Sequence, residues 1–243
     1  VATIGGFLSK YEMKDAKLLQ DLGYEVHYAS NLQNKIYDFE QDELEKNDIV
    51  LHQVNISKNP FRLISIVKNI IELRRIILDE QISLMHCHTP VGGVVGRIAG
   101  HFSKVNEKRP YVIYTAHGFH FYKGAPLLNW LLYYPVEKWL AHYTDALITI
   151  NQEDYALAKR KMKLRNDGKV YYVPGVGIDP GKFSDTTIDK GAKRRDLGIP
   201  EDAIVLLSVG ELNRNKNHET VIRAIADMNV YYIIAGRGEL QTH

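Results

Sequence analysis

Apolar residues follow two alternating rhythms along this chain. Short runs rich in β-branched and aromatic residues fall at 1–4, 25–29, 49–54, 82–88, 111–115, 145–150 and 169–173, and again at 203–209 and 230–235. Runs of that length and make-up predict buried strands. Between them apolar residues recur every three or four positions, the period of a helix packed along one side. Met13, Ala16, Leu19 and Leu22 form such a face, with Ser9 placed as a cap before it and Gly23 as its stop. Pro60 opens a longer helix to about Glu80. Its polar stripe is Arg62, Ser65, Lys68, Glu72, Arg75 and Asp79, and Leu63, Ile64, Val67, Ile70, Ile71, Ile77 and Leu78 make a wide apolar face. Asn151 caps a helix with a basic end, Lys159-Arg160-Lys161. Strand and helix in alternation predict an α/β fold with a parallel, Rossmann-like sheet. The polar, acidic stretch 31–47 reads as a loop with a short turn of helix.

The rhythm breaks at 174–181, Pro-Gly-Val-Gly-Ile-Asp-Pro-Gly. The predicted domains are 1–175 and 176–243. The second holds a basic helix at 190–197, two strands and one helix between them. A two-stranded parallel sheet leaves large apolar faces uncovered, so a second Rossmann-like domain is begun and not completed. The first residue is valine, so the chain reads as a piece of a larger protein.

Composition narrows the function classes only modestly. A net charge of +2 favours no polyanion, and the basic clusters at 159–163 and 190–195 read as solvated helix ends, so nucleic acid is not an expected partner. No apolar run is long enough to span a bilayer, and no signal peptide is visible, since Gly5-Gly6 ends the first apolar run. The single cysteine, Cys87, excludes an internal disulfide and suggests a reducing, cytoplasmic compartment.

Candidate chemistry gathers at strand ends, where ligands sit in open parallel sheets. The strand at 111–115 stops at Ala116-His117-Gly118, and Phe119, His120 and Phe121 crowd the loop that follows. His117 is the first candidate, and His120 the fallback. Gly5-Gly6 lets a phosphate or sugar approach the backbone, or is simply a tight turn. The strand at 82–88 ends His86-Cys87-His88, three potential metal ligands. Alternate strand residues face opposite sides, so Cys87 points away from both histidines and no metal is expected. Gly92, Gly93, Gly96 and Gly100 follow in the order G-G-x-x-G, with no acidic residue placed for a ribose hydroxyl. That disfavours a dehydrogenase and points to close helix–sheet packing. The segment 124–143 carries Trp130, Tyr133, Tyr134 and Trp139, and Pro135 is expected to kink or restart its helix. It reads first as a helix buried against the sheet, otherwise as a seat for a membrane interface or lipid acceptor. Arg74-Arg75 poses the same choice, with a plain surface helix preferred over contact with anionic lipid.

Six stretches, spread in order over almost the whole chain, together resemble the retaining glycosyltransferases of family 4, built on the GT-B fold. They are VATIGGF (1–7), HCHTPVGGVVGRIAG (86–100), YTAHGFHF (114–121), VPGVGID (173–179), LLSVGELNRNKNHETVIRAIA (206–226) and IIAGRGEL (233–240). The likeness is nearest to bacterial enzymes of capsule and exopolysaccharide assembly. It implies a nucleotide-sugar donor, a UDP-sugar, held mainly by the second domain, and a lipid-linked or oligosaccharide acceptor on the first. It implies retention at the sugar, no cofactor, no metal and peripheral work at the cytoplasmic membrane face. Residue by residue, Gly5 and Gly6 match the loop near the donor phosphates, and His117 the histidine beside the transferred sugar. Lys216 matches the residue that meets the diphosphate, and Gly236 and Gly238 the turn near the nucleotide. His88, His120 and Trp130 are the acceptor-side candidates.

The chain departs from the family pattern twice. Arginine usually follows the glycine of the strand at 203–209, but here Glu211 follows Gly210, with Arg214 as a candidate for the missing charge. The family's later pair of glutamates would lie beyond His243. Residues 1–243 alone are therefore expected to be inactive or nearly so. Two other readings stay open: a GT-B UDP-sugar 2-epimerase, which isotope exchange at C2 would reveal, and a non-enzymatic nucleotide-sugar-binding module.

Overall fold

The computed structural model describes residues 1–33, 41–175, 177, 180–184 and 187–241. Parts of the expected loop at 31–47 and of the expected boundary at 174–181 lie outside the described residues. The chain divides into two compact units, Val1–Gly177 and Ile178–His243. Both are α/β with parallel strands.

The first unit alternates strand and helix throughout: α1 (Met13–Asp21), β1 (Val26–Ser30), α2 (Gln41–Glu45), β2 (Ile49–Gln53), α3 (Leu63–Asp79), β3 (Leu84–His88), α4 (Pro90–His101), β4 (Tyr111–Ala116), α5 (Leu127–Ala141), β5 (Ala146–Thr149), α6 (Gln152–Lys161) and β6 (Lys169–Tyr172). β1 pairs with β2, and β3 to β6 pair in sequence order. Val1 and Ala2 bridge the two sheets. The Val1 nitrogen donates to His86 O and the Val1 carbonyl accepts from His88 N, while Ala2 N donates to Ala29 O. The expected opening strand is thus present as a short extended segment between β1 and β3. The order becomes β2, β1, opening segment, β3, β4, β5, β6. The order in which the chain lays down its parallel strands reverses between the opening segment and β3, and a crevice at such a switch point is where doubly wound sheets bind ligands.

Two apolar clusters cover the two faces. Ala2, Phe7, Leu8, Ala16, Val26, Tyr28 and Ile49 pack around α1. The larger cluster joins Ala29, Leu73, Ile77, Met85, Cys87, Val95, Val112 and Tyr114 beneath α3 and α4. The glycines of α4 allow this. A methyl group added at Gly93 would meet the Tyr114 ring at 2.5 Å, and one at Gly96 would meet Cys87 Sγ at 2.4 Å. Gly96→Ala is therefore expected to destabilise the protein by about 1–3 kcal/mol through overpacking. A urea midpoint equal to that of the wild type would refute this close packing.

Several helix details depart from the sequence expectations. Ser9 is no cap: it lies inside a π turn, Leu8–Glu12, that precedes α1, and its Oγ donates back to Gly6 O. α3 starts at Leu63 rather than Pro60, because Phe61 N is taken by Asn59 Oδ1 in a local turn. Its apolar belt is wider than its contact. Asn69, Leu73 and Ile77 are buried, while Leu63, Ile64, Val67, Ile71 and Leu78 are exposed. α5 runs through Pro135 as one element. It is also largely uncovered: only Leu140 and Ala141 are buried, and Leu127 is 74% exposed.

One buried ion pair ties α4 to α5. Arg97, 1% exposed, donates from both terminal nitrogens to the Glu137 carboxylate at 2.8 and 3.1 Å. Its Nε donates to Gly93 O, and its guanidinium lies 3.9 Å from the Tyr114 ring centre.

The second unit holds α7 (Lys190–Asp196), β7 (Ile204–Val209), α8 (His218–Ala224) and β8 (Val230–Ala235), with β7 and β8 parallel. Ile204, Leu207, Val209 and Ile222 are exposed, as a two-stranded sheet with one following helix requires.

Candidate active site

Three strand ends converge at the switch point of the first unit. The opening segment turns at Gly5-Gly6, both buried, and delivers Phe7. β3 ends at His88, and β4 gives way to His117 and Gly118, whose φ of 120° suits glycine. Registering His88 with Thr115 brings the two histidines together: His88 Nδ1 lies 3.3 Å from His117 Nε2. Phe7 packs on both, with ring centres 5.1 Å from His88 and 5.4 Å from His117. The structure thus joins Gly5, Gly6, His88 and His117 in one place.

Glu12, Phe7 and Thr89 belong to this place and were not singled out from sequence. The π turn before α1 sends the Glu12 carboxylate inward, where Oε1 stands 3.6 Å from His88 Nδ1. Such π turns recur at functional sites. Burial pushes the Glu12 carboxyl up to about 8. Thr89, which precedes α4, has φ 64° and ψ 150°, an uncommon backbone for a β-branched residue. Its Oγ1 lies 2.5 Å from Thr3 Oγ1 of the opening segment. Strain of this kind costs on the order of 1–3 kcal/mol and persists only where the surroundings impose it, often at binding sites.

As the strand geometry requires, Cys87 faces α4 while His86 and His88 share the other side. His86 Nε2 lies 2.8 Å from Thr115 Oγ1. Glu12, His86 and His88 bring three donor atoms within 4.8 Å of one another, so these residues could hold a cation, although none is expected from the sequence.

Burial holds all three imidazoles low: His86 at about 4, and His88 and His117 below the ordinary value. Unfolded histidines titrate near 6.5, so below that pH the unfolded chain takes up protons that the native site refuses. This stabilisation is present above about 6.5 and is lost as pH falls towards 4. The urea midpoint is expected to drop over that interval, and His86→Gln to flatten the drop. Identical slopes for the variant and wild type would show that His86 plays no part.

The loop after β4 is fastened by backbone atoms. Phe119 N donates to Asp154 Oδ2 at 2.9 Å, and Lys123 N to Glu153 Oε1 at 2.5 Å. Asp154 is itself set by Asn151, whose side chain also caps α6. From α5, Asn129 donates to His120 O and Trp130 to Tyr122 O. The side chains of His120 and Trp130 turn elsewhere: His120 packs on Tyr133, and Trp130 joins Phe121 and Tyr134.

The other candidates lie in the second unit, around the loop after β7. A methyl group added at Gly210 would meet the stem of Lys216 at 3.5 Å, and Arg214 is exposed. Glu211 turns its carboxylate to Asn213 Nδ2. Gly236 and Gly238 press against this loop so closely that a methyl group would fall 1.8 Å from Gly210 O and 2.3 Å from Leu212 O. Their lack of a side chain is needed for that packing whatever ligand lies nearby.

A family model described as glycosyl transferase 4-like matches residues 5–151, which carry the glycine turn, β3, β4 and His117. This chain belongs to that family. The relative named "Putative glycosyltransferase EpsD", from Bacillus subtilis (strain 168), is 36% identical over 99% of this chain and 61% of its own. An Escherichia coli relative, named UDP-Gal:alpha-D-GlcNAc-diphosphoundecaprenol alpha-1,3-galactosyltransferase, is 26% identical over 96% of this chain and 59% of its own. The chain therefore spans about 60% of the length of these curated relatives. Among solved structures, MurG of Acinetobacter baumannii aligns over 96% of this chain and 66% of its own with a TM-score of 0.44 and 12% identity, a likeness too distant to inform the site.

Proposed function

We propose that the full-length protein is a GT-B enzyme that moves a sugar, with retention, from a UDP-sugar to a lipid-linked or oligosaccharide acceptor in surface polysaccharide assembly. The observation that carries this reading is the meeting of His117, His88 and the Gly5–Gly6 turn at the switch point. Membership of the family and the names of the two relatives support it. In transfer, the bond from the anomeric carbon to the diphosphate oxygen breaks, and a bond to the acceptor oxygen forms. The acceptor's proton goes to the departing diphosphate, so no protein base is needed. His117 orients the donor sugar, and burial keeps its imidazole neutral. The exposed cations Arg214 and Lys216 suit the charge gathering on the diphosphate. Incubating the full-length protein with UDP-hexoses and an undecaprenyl diphosphate-linked sugar tests the reading. A product keeping the donor's anomeric configuration is expected, and an inverted product or none would overturn it.

The protein is also proposed to work peripherally at the cytoplasmic membrane face. Leu127, Leu128, Leu131, Leu132, Val136 and Trp139 form an exposed stripe on α5, which also carries the exposed Lys138. Leu128→Ser with Leu131→Ser is expected to lower binding to vesicles containing phosphatidylglycerol by more than about tenfold. Unchanged sedimentation with those vesicles would remove α5 from the membrane surface.

A further inference from the structure

A second cluster of histidines lies on the β1–β2 pair. His27 stands near the start of β1, and His52 near the end of β2. The parallel register pairs His27 with Val50 and Ala29 with His52. The two histidines are thus diagonal neighbours on one face of the pair, the face that Ala29 turns towards Leu73 and Ile77 of α3. His27 Nδ1 lies 2.9 Å from His52 Nε2, and the rings stack at 15° with centres 5.2 Å apart. Glu80, the residue that closes α3, approaches from the helix side. One nitrogen of each ring and one Glu80 oxygen lie within 4.8 Å of one another.

We propose that His27, His52 and Glu80 form a structural site for a divalent cation of zinc type, clipping the β1–β2 pair to the end of α3. Two imidazoles and a carboxylate are a donor set that zinc favours, with a water completing four-coordination. Without an ion, a hydrogen bond between neutral imidazoles accounts for the 2.9 Å contact, and Glu25 Oε1 stands 3.7 Å from the other His27 nitrogen. The Glu80 carboxylate converging on the same point supplies the third donor. Tetrahedral bonds of about 2.0–2.1 Å place two nitrogens about 3.3–3.4 Å apart, so the ion enters after the rings part by a few tenths of an ångström. The carboxyl end of a helix carries partial negative charge, which favours a cation beside α3. His27, His52, Glu80 and Glu25 line a cavity of about 320 Å³ that they share with Phe7, Glu12, His86 and His88, and it gives the ion a way in. Burial and the neighbouring His27 hold the His52 pKa down, leaving a lone pair available near neutral pH. The location also suits a clip: among the described residues, β1 and β2 reach the other strands through the short opening segment. No step of sugar transfer passes through this ion.

Titration of the full-length, metal-stripped protein with Zn²⁺ or Co²⁺ tests the site. One equivalent of Zn²⁺ is expected to bind with micromolar or tighter affinity and to raise Tm by several degrees. Co²⁺ is expected to give the visible spectrum of a four-coordinate nitrogen and oxygen site without a thiolate band. The paired change His27→Asn with His52→Asn should abolish both effects. Glu80→Gln, at an exposed helix end, should fold normally and weaken binding by at least the ~10–100-fold typical of changes around a metal site. Failure of the wild type to bind one equivalent overturns the proposal. Binding that survives the double substitution, as it would if Glu12, His86 and His88 were the ligands, overturns it equally.

Discussion

In the full-length protein, His117→Ala is expected to lower kcat by on the order of 10²–10³-fold, the loss usual when one fixed polar partner of a transition state is removed. The fold should survive, because His117 stands at a loop start and the strand beneath it is held by β3 and β5. KM for the acceptor should change less than kcat if His117 has its proposed role beside the transferred sugar. His88→Ala is expected to act in the same direction more weakly, because His88 contacts His117, the residue proposed to meet the sugar. Steady-state kinetics on the purified variants decide the matter. A His117→Ala enzyme within about threefold of wild type, less than a kilocalorie per mole of barrier, would show that the histidine does not serve transfer.

The second large effect is on stability. Glu137→Ala strips the partner from a guanidinium that is 1% exposed, and breaking a buried pair from one side costs about 3–5 kcal/mol. Total stabilities are about 5–15 kcal/mol, so the variant should lose a large share of its urea resistance. The paired replacement Arg97→Met with Glu137→Leu separates the cause. It removes both charges, keeps apolar volume, and should lie much closer to wild type. Lysine at position 97 should rescue little, because it offers neither the planar fork for both Glu137 oxygens nor a flat face for Tyr114. A Glu137→Ala midpoint within about 1 kcal/mol of wild type would mean that the arginine finds water or another partner.

Much of this arrangement was legible in the sequence because strand ends announce themselves. The run at 111–115 could only be a strand, and the histidine and glycine after it could only fall at its carboxyl end. The four glycines of α4 likewise pointed to close packing, and the contacts at Gly93 and Gly96 give the reason. Glu12 was not legible. Its role depends on a π turn that shifts helix phase before α1, and periodicity read at a uniform 3.6 residues places the carboxylate elsewhere. Thr89 was hidden for a similar reason, since threonine rarely adopts positive φ and composition gives no warning of it. The exposure of α5 stood only as the second reading because an aromatic, apolar helix looks buried. Hydrophobicity records what a helix can pack against, and not whether the chain supplies a partner. The clustering of His27, His52 and Glu80 was invisible because it arises from strand register and from the place where α3 stops.

The fastening of the loop after β4 bears on how this enzyme type can diversify. Its four ties, at Phe119 N, His120 O, Tyr122 O and Lys123 N, all use main-chain atoms, while the clamping groups belong to Asn129, Trp130, Glu153 and Asp154. Side chains at 120, 122 and 123 are therefore free to drift without releasing the loop. Substitutions at these positions change the exposed surface while His117 keeps its place, so the loop separates a heritable shape from an interchangeable surface.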